Sequence, residues 1–392
     1  MIPSSPPADP ALGLRGRGFA LLIAATAIGL CGFAAVLPLV PLWAVRGGAG
    51  EFGAGTTTAA FMLTTVLTQL AMPRMLERGG YRWAFPIGSL IMGLPTPLFA
   101  LSTDLAPLIA ISAVRGVGFG MVSVAGTALA ARLVPPEQVG RATGYYGLAV
   151  GLPQVVILPG GVALALDLGF DTAFWLTGLC SLVGAALSAG IWFADGGRNR
   201  PLLRSAPRTA PGTERGASLA APLVIMLLTA SSAGAVVTFV AVPLADTPWL
   251  VGASLAAYAA LVVLGRWSAG FSYDRHGRPL LLLPGMAAAV CGAALIAVGL
   301  WGSPLWVLAG AALFGLGFGA VQNETVTLML NRAGPTGQGR ASAVWNIGYD
   351  AGAGAGAMAL GLLIQTLGYG PAFAALAVAL LAVLPLARVS RR

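Results

Sequence analysis

The chain has 392 residues, of which 57% are hydrophobic and only 9% charged, with a mean hydropathy of +0.85. Soluble domains carry roughly 25% charged residues, so this composition excludes a water-soluble globular protein and predicts one embedded in a lipid bilayer. All 22 basic residues are arginine, and the formal net charge is +9. Because a Walker A loop needs a lysine, the chain is not by itself a P-loop ATPase.

Twelve apolar runs are long enough to cross a bilayer, which takes about 20 helical residues. In chain order they cover 18–42, 55–74, 83–102, 106–131, 141–165, 172–193, 219–245, 250–272, 279–300, 304–330, 341–366 and 371–388. The predicted organisation is a disordered tail (1–14), an N-terminal six-helix half (15–193), a flexible cytoplasmic linker (194–218) and a C-terminal six-helix half (219–392).

The arginines predict the orientation. When successive connections are assigned alternately to two sides, every arginine except Arg46, Arg115 and Arg266 falls on one side. The positive-inside rule places that side, and both termini, in the cytoplasm. The predicted location is therefore the plasma or inner membrane. Since the positive charge reports topology, no nucleic-acid partner is expected.

Metal and cofactor chemistry has no support in the sequence. The three cysteines lie singly in apolar runs, and the one histidine, His276, lies in a polar connection. No H-E-x-x-H motif occurs, and no histidine lies within a predicted span, which disfavours an intramembrane enzyme. We expect no metal and no cofactor.

Two stretches of the chain are copies of each other. Residues 116–120 read G-V-G-F-G and residues 315–319 read G-L-G-F-G; the same offset separates Arg141 from Arg340. Two copies of an apolar unit, with a site between them, are typical of membrane transporters. The sequence therefore predicts two pseudo-symmetric halves.

The loop after the eighth run, G-F-S-Y-D-R-H-G-R at 270–278, resembles the cytoplasmic G-x-x-x-D-R-x-G-R/K loop of the major facilitator superfamily. The loop after the second run, P-R-M-L-E-R-G-G-Y-R at 73–82, is a degenerate copy. The resemblance extends from about residue 15 to 390 and implies an all-α membrane fold of twelve transmembrane helices in two six-helix halves. It assigns control of an inner gate to Glu77, Arg78, Gly80, Arg82, Gly270, Asp274, Arg275, Gly277 and Arg278. A charge cluster that only sets the topology is the alternative.

Four charged side chains lie well inside the runs: Arg115, Arg266, Glu324 and Asp350. Each costs about 2.5–3.5 kcal/mol to insert, so such residues usually pair or face a cavity. At 1.5 Å per residue, the last three lie about 12–15 Å from the arginine-rich ends of their spans, which predicts that Arg266 pairs with one or both carboxylates. We hypothesise that Glu324 or Asp350 couples transport to protons, tuned by Arg266; a static ion pair is the alternative.

Arg115 is alone in the fourth span, and its counterpart in the second half is Phe314. In the superfamily this span lines the cavity and often carries an arginine, but at a position corresponding to Ser112. We therefore expect Arg115 to bind an anionic substrate or a coupling carboxyl. A structural pair is the alternative. The expected substrate-cavity residues are Arg115, Gln154, Gln322, Asn323, Trp345 and Asn346; helix–helix hydrogen bonding is the alternative for each of them.

The fifth span carries G-L-A-V-G-L-P at 147–153 and P-G-G at 159–161, which resembles, with altered spacing, a run found in proton-coupled exporters of the superfamily. The prediction is a secondary active transporter, and not an enzyme, that exports a small organic compound against protons by alternating access, as a monomer. One alternative is a facilitator or a proton symporter that imports a small metabolite. Another is a membrane sensor or scaffold without transport.

Overall fold

The computed structural model describes residues 13–76, 81–135, 138–194 and 219–390. The predicted tail up to residue 12 and the linker from residue 195 lie outside these ranges. The helices are α1 Arg17–Gly29, α2 Cys31–Arg46, α3 Gly50–Met75, α4 Tyr81–Gly93, α5 Leu105–Arg132, α6 Val139–Leu168, α7 Phe170–Ala194, α8 Ala220–Phe239, α9 Pro248–His276, α10 Leu282–Trp301, α11 Leu305–Leu367 and α12 Tyr369–Ser390.

Within the described ranges these helices make twelve crossings, as predicted. Helices α1 and α2 together form the first, and a 3-10 helix, Thr96–Leu101, extends α4 to complete the third. Helix α11 forms the tenth and eleventh, because it kinks at Gly334 (φ 64°, ψ 175°), a conformation that glycine adopts without strain. Its two parts, Leu305–Gly334 and Arg340–Leu367, are called the first and second limbs of α11.

Eleven of the crossings in the described residues are both long and apolar enough to span a membrane. The remaining one is α3, which has 26 residues but carries six threonines and Gln69. Polar side chains within a span face other helices or water rather than lipid. The polarity of α3 therefore marks it as an inner helix.

The bundle has two faces, which we name by the chain. The terminal face is where α1 begins and α12 ends, and the far face is where α2 ends and α3 begins. Consecutive crossings run in opposite directions, so α3 leads from the far face to the terminal face, and the second limb of α11 leads back to the far face.

The repeated glycines explain why the two halves carry the same short sequence. In the triad at 116–120, the first and third glycines abut carbonyl groups of α3 and the middle one abuts a carbonyl of α4. In the triad at 315–319, the same positions abut α9 and α10. A Cβ atom at any of these glycines would overlap the neighbouring backbone. Each triad therefore lets the fourth crossing of its half pack closely against the second and third.

Candidate functional site

The two halves contact each other at the far face. The hydroxyl of Tyr369, at the start of α12, donates to Glu51 Oε1 at the start of α3 over 3.2 Å. Deeper in the bundle, the hydroxyls of Thr58 in α3 and Thr238 in α8 are 3.4 Å apart. The largest cluster of buried hydrophobic residues also draws on both halves. These contacts describe a bundle that is closed at the far face.

At the terminal face, the loop after α9 follows a helix end whose Tyr273 hydroxyl accepts from Asn331 Nδ2 over 2.6 Å. Gly277 ends α9 in the left-handed conformation (φ 67°), and its N–H donates to Tyr273 O over 2.7 Å. Asp274, Arg275 and Arg278 are exposed, and the structure gives them no ion pair with another described residue.

The remaining residues assigned to the inner gate are placed as follows. Gly270 of α9 lies against Asn323, since a Cβ added at Gly270 would be 3.4 Å from the Asn323 amide nitrogen. Glu77, Arg78 and Gly80 lie outside the described residues, and so does the side chain of Arg82. The loop after the second crossing therefore stays a sequence-based expectation.

Asp350 joins the halves in the middle of the bundle. It is buried in the second limb of α11, and its Oδ2 accepts a hydrogen bond of 2.6 Å from Gln69 Nε2 in α3. The same nitrogen lies 3.3 Å from Ser123 Oγ in α5, and the buried Gln69 Oε1 has no partner among the described residues. A membrane carboxylate is thus held by a neutral amide of the opposite half.

The structure separates the three charges that were expected to meet. Asp350 forms no ion pair with Arg266 or with any other described residue. Arg266 is exposed and lies near Tyr349. The carboxylate of Glu324 is buried at 0% exposure and accepts from the backbone N–H of Leu281 over 3.0 Å. Because Leu281 immediately precedes α10, Glu324 caps the N-terminus of that helix.

Arg115 is buried at 2% exposure and satisfied by neutral acceptors. Its Nε donates to Met92 O and to Thr96 Oγ1, both over 3.0 Å, and its Nη2 donates to Gly32 O over 2.9 Å. The Met92 carbonyl is available because it lies in the last turn of α4, just before Pro95 interrupts the helix. Among the described residues, no carboxylate contacts Arg115, either as a coupling group or as a structural partner.

Three other cavity candidates have local partners, whereas the buried Gln322 Oε1 has no hydrogen-bond partner among the described residues. Gln154 and Asn346 donate to carbonyls one turn earlier in their own helices, Val150 O at 3.0 Å and Ser342 O at 2.9 Å. Trp345 Nε1 donates to a threonine hydroxyl across the two limbs of α11 over 3.0 Å. Arg115 is the candidate that lines the small cavity between α2, α3 and α5.

Two residues of the inter-half contact, Gln69 and Ser123, were missed by the sequence analysis. The signal that could have found Gln69 is its position, since it is the one amide side chain of α3, a span already made polar by threonines. Ser123 offers no comparable signal, because serines are frequent in the other spans and mostly bond to their own helix.

The chain resembles known proteins in both sequence and structure. The sequence model described as Major Facilitator Superfamily matches residues 22–357. A search of curated protein sequences gives no significant match. Among solved structures, the chain resembles the nucleoside transporter NupG, with a TM-score of 0.73, 12% identity, and coverage of 95% of this chain and 98% of that one. A single-substitution mutant of NupG gives a TM-score of 0.73 at 11% identity, covering 96% and 100%. At such identities the likeness shows the fold alone.

Proposed function

Because the chain belongs to the major facilitator superfamily, and is thus a multi-pass membrane transporter and not an enzyme, we propose that it exports a small organic compound in exchange for protons. The observation that carries the proton coupling is the hydrogen bond between Asp350 and Gln69, which joins the two halves at a buried carboxyl. A titratable group at that place senses the relative position of the halves, which is what coupling requires.

Protonation of Asp350 changes the strength of this contact. A hydrogen bond to a charged group contributes about 1.5–3 kcal/mol, and one between neutral groups about 0.5–1.5 kcal/mol. A proton on Asp350 therefore weakens the contact between α3 and α11 by on the order of 1 kcal/mol. The charged carboxylate favours the far-face-closed state, and proton uptake favours its opening. By alternating access, a proton bound from the far side is released toward the terminal side.

The direction follows from assigning the terminal face to the cytoplasm. All arginines of the predicted connections except Arg46 belong to that side. With this orientation, a proton carried inward across the plasma or inner membrane drives the compound outward. The exporter-like run in the fifth span supports the same direction.

Everted membrane vesicles test the proposal. With the lumen acidified by respiration, a panel of compounds is added while a pH-sensitive dye follows the gradient. We expect at least one compound to dissipate the gradient with the native protein and with Asp246→Asn, a control in an exposed connection, but not with Asp350→Asn.

The alternatives give different results in the same system. Compound movement that is indifferent to the gradient identifies a facilitator, and accumulation in right-side-out vesicles with an inward gradient identifies an importing symporter. Binding without flux identifies a sensor. Gradient dissipation that persists in Asp350→Asn would contradict the assignment of the coupling group.

A further inference from the structure

The second limb of α11 packs against two helices through two different sides. Gly348, Gly352 and Gly356 recur every four residues and therefore lie on one side of the limb. A Cβ atom at Gly352 or Gly356 would overlap backbone atoms of α8, and one at Gly348 would lie 2.6 Å from a methyl group of Leu223 in the same helix. This side of the limb therefore contacts a helix of its own half.

The other side of the limb packs against α3 of the opposite half. Four residues at intervals of four, three and four share this side: Asp350, Gly354, Ala357 and Gly361. Their partners in α3, taken in the same order, have decreasing numbers: Gln69, Met62, Gly55 and Glu51. Because the two helices are antiparallel, these four pairs form one continuous contact, which we call the α3–α11 strip. It begins at the hydrogen bond of Asp350 and ends at the far face.

At its two central glycines the strip has no room for a side chain. A Cβ atom at Gly354 would lie 2.7 Å from Met62 Cβ, and one at Gly55 would overlap the carbonyl group of Ala357. Small residues allow such close approach of helices in membranes, and the contact depends on van der Waals packing. A gap of roughly 0.5–1 Å already forfeits a quarter to a half of this attraction. A single added methyl group should therefore weaken the strip.

The two sides of the limb are separate contacts. The three atoms nearest to a Cβ at Gly354 all belong to α3, and those nearest to a Cβ at Gly55 all belong to the second limb. A methyl group at either position thus presses only on the contact between the halves. The three atoms nearest to a Cβ at Gly352 or at Gly356 all belong to α8, so a methyl group there presses only on a contact within one half.

We infer that Gly354 and Gly55 are positioning residues that set the equilibrium between the far-face-closed and far-face-open states. The α3–α11 strip closes and separates during transport, whereas the contact with α8 persists because both of its helices belong to one half. A methyl group in the strip therefore disfavours the closed state alone, since the overlap disappears once the halves part. This inference rests on the alternation of the halves in the proposed function, and not on the compound or on protons.

The reactivity of a cysteine at Thr238 measures the state of the far face. Thr238 is 1% exposed and its hydroxyl is 3.4 Å from that of Thr58 in α3, so Thr238→Cys should react with a maleimide only when the far face opens. The measurement uses purified full-length protein in lipid nanodiscs, with the three native cysteines replaced by serine. Gly354→Ala should raise the labelling rate by about 10-fold or more, because overpacking disfavours the closed state. Gly55→Ala should do the same from the opposite helix.

Matched controls add the same methyl group to the other side of the limb. Gly352→Ala and Gly356→Ala should each lower thermal stability without raising the labelling rate of Thr238→Cys. Asp246→Cys, in an exposed connection, should be labelled equally in every background. An effect that is confined to the strip thereby separates a shift between two states from general loss of stability.

The inference is overturned if folded Gly354→Ala and Gly55→Ala proteins are labelled no faster than the parent, or if Gly352→Ala accelerates labelling as much as they do. Failure of both strip variants to fold would also contradict it, since the methyl groups would then act on more than the closed state.

Proton coupling is a separate result, because labelling is measured without a compound or a gradient. Faster labelling of both strip variants in a protein that moves no protons would keep this inference and refute antiport. Proton-coupled export by a protein whose labelling is unaffected by either strip substitution would do the reverse.

Discussion

At the scale of single residues, the bond between Asp350 and Gln69 is the contact on which the account depends. At 2.6 Å it is shorter than the 3.3 Å approach of the same nitrogen to Ser123, so the carboxylate is the principal acceptor. Gln69→Leu should therefore impair coupling more than Ser123→Ala. Losing a hydrogen bond to a charged group costs about 1.5–3 kcal/mol. This corresponds to a roughly 10- to 150-fold change in the equilibrium between the far-face-closed and far-face-open states.

The measurement for this pair is proton movement per compound transported, in vesicles with matched protein levels. Gln69→Leu is expected to lower this ratio and Ser123→Ala to leave it close to native. Equal effects of the two substitutions would mean that the cluster, rather than the bond to Asp350, carries the coupling.

Glu324 provides a second prediction at this scale. Its Oε1 accepts from the N–H of Leu281, and an amide oxygen can accept the same bond. Glu324→Gln should therefore retain coupled transport, whereas Glu324→Leu should lower the free energy of unfolding by about 1–3 kcal/mol because it leaves the half-buried Leu281 N–H group unsatisfied. Thermal unfolding in detergent, measured beside transport, checks both expectations. Loss of coupling in a stable Glu324→Gln protein would reassign the coupling group.

The sequence indicated Asp350 but not its partner. Charged residues are conspicuous within apolar runs because their insertion is costly, so Arg115, Arg266, Glu324 and Asp350 were all identified. Depth along a helix does not specify which way a side chain points. The expected pairing with Arg266 is therefore not found at Asp350. Hydrogen bonds to neutral groups, such as Gln69 or Leu281, cannot be anticipated from charge alone.

At the scale of helices, the glycine triads fix how crossings pack. In the first limb of α11, a Cβ at Gly317 would overlap backbone atoms of α10, whereas a Cβ at Gly147 in α6 meets nothing within 4 Å. Gly317→Ala should therefore destabilise the protein by about 1–3 kcal/mol through overpacking. Gly147→Ala should be neutral or stabilising by up to about 1 kcal/mol, because alanine has the higher helix propensity.

Thermal unfolding of the two alanine variants tests whether the close packing at a glycine, rather than the glycine itself, determines stability. Similar stabilities would show that the repeated triads do not set the distance between crossings. Lower stability of Gly317→Ala alone, with expression unchanged, is the expected result.

Helix positions were largely predictable, and their irregularities have local causes. Runs of apolar residues predicted all the crossings, because a helix needs about 20 mostly apolar residues to cross the hydrocarbon core. The interruption of the third crossing reflects Pro95 and Pro97, which lack backbone donors. The joining of the tenth and eleventh crossings into one kinked helix at Gly334 depends on a backbone conformation that apolar periodicity does not encode.

At the scale of the whole molecule, the fold itself followed from composition, the repeat and the loop motif, and the family match confirms it. What those features do not encode is which state the two halves adopt. That state is defined by a few contacts at the far face, including the pair Thr58–Thr238.

Cross-linking tests the closed far face. In a variant with the three native cysteines replaced by serine, Thr58→Cys with Thr238→Cys should form a disulfide, since the two hydroxyls are only 3.4 Å apart. Oxidation should abolish transport, and reduction should restore it, because alternating access requires this contact to open. Undiminished transport by the cross-linked protein would show that the two residues do not separate during the cycle.

The most direct test of proton coupling at Asp350 compares two modes of transport in proteoliposomes containing Asp350→Asn. One mode is exchange of labelled for unlabelled compound at equal pH, and the other is accumulation driven by a pH gradient. The account predicts that the variant retains exchange and loses gradient-driven accumulation, because the two halves still alternate but carry no proton. Accumulation at the native level would contradict the central claim.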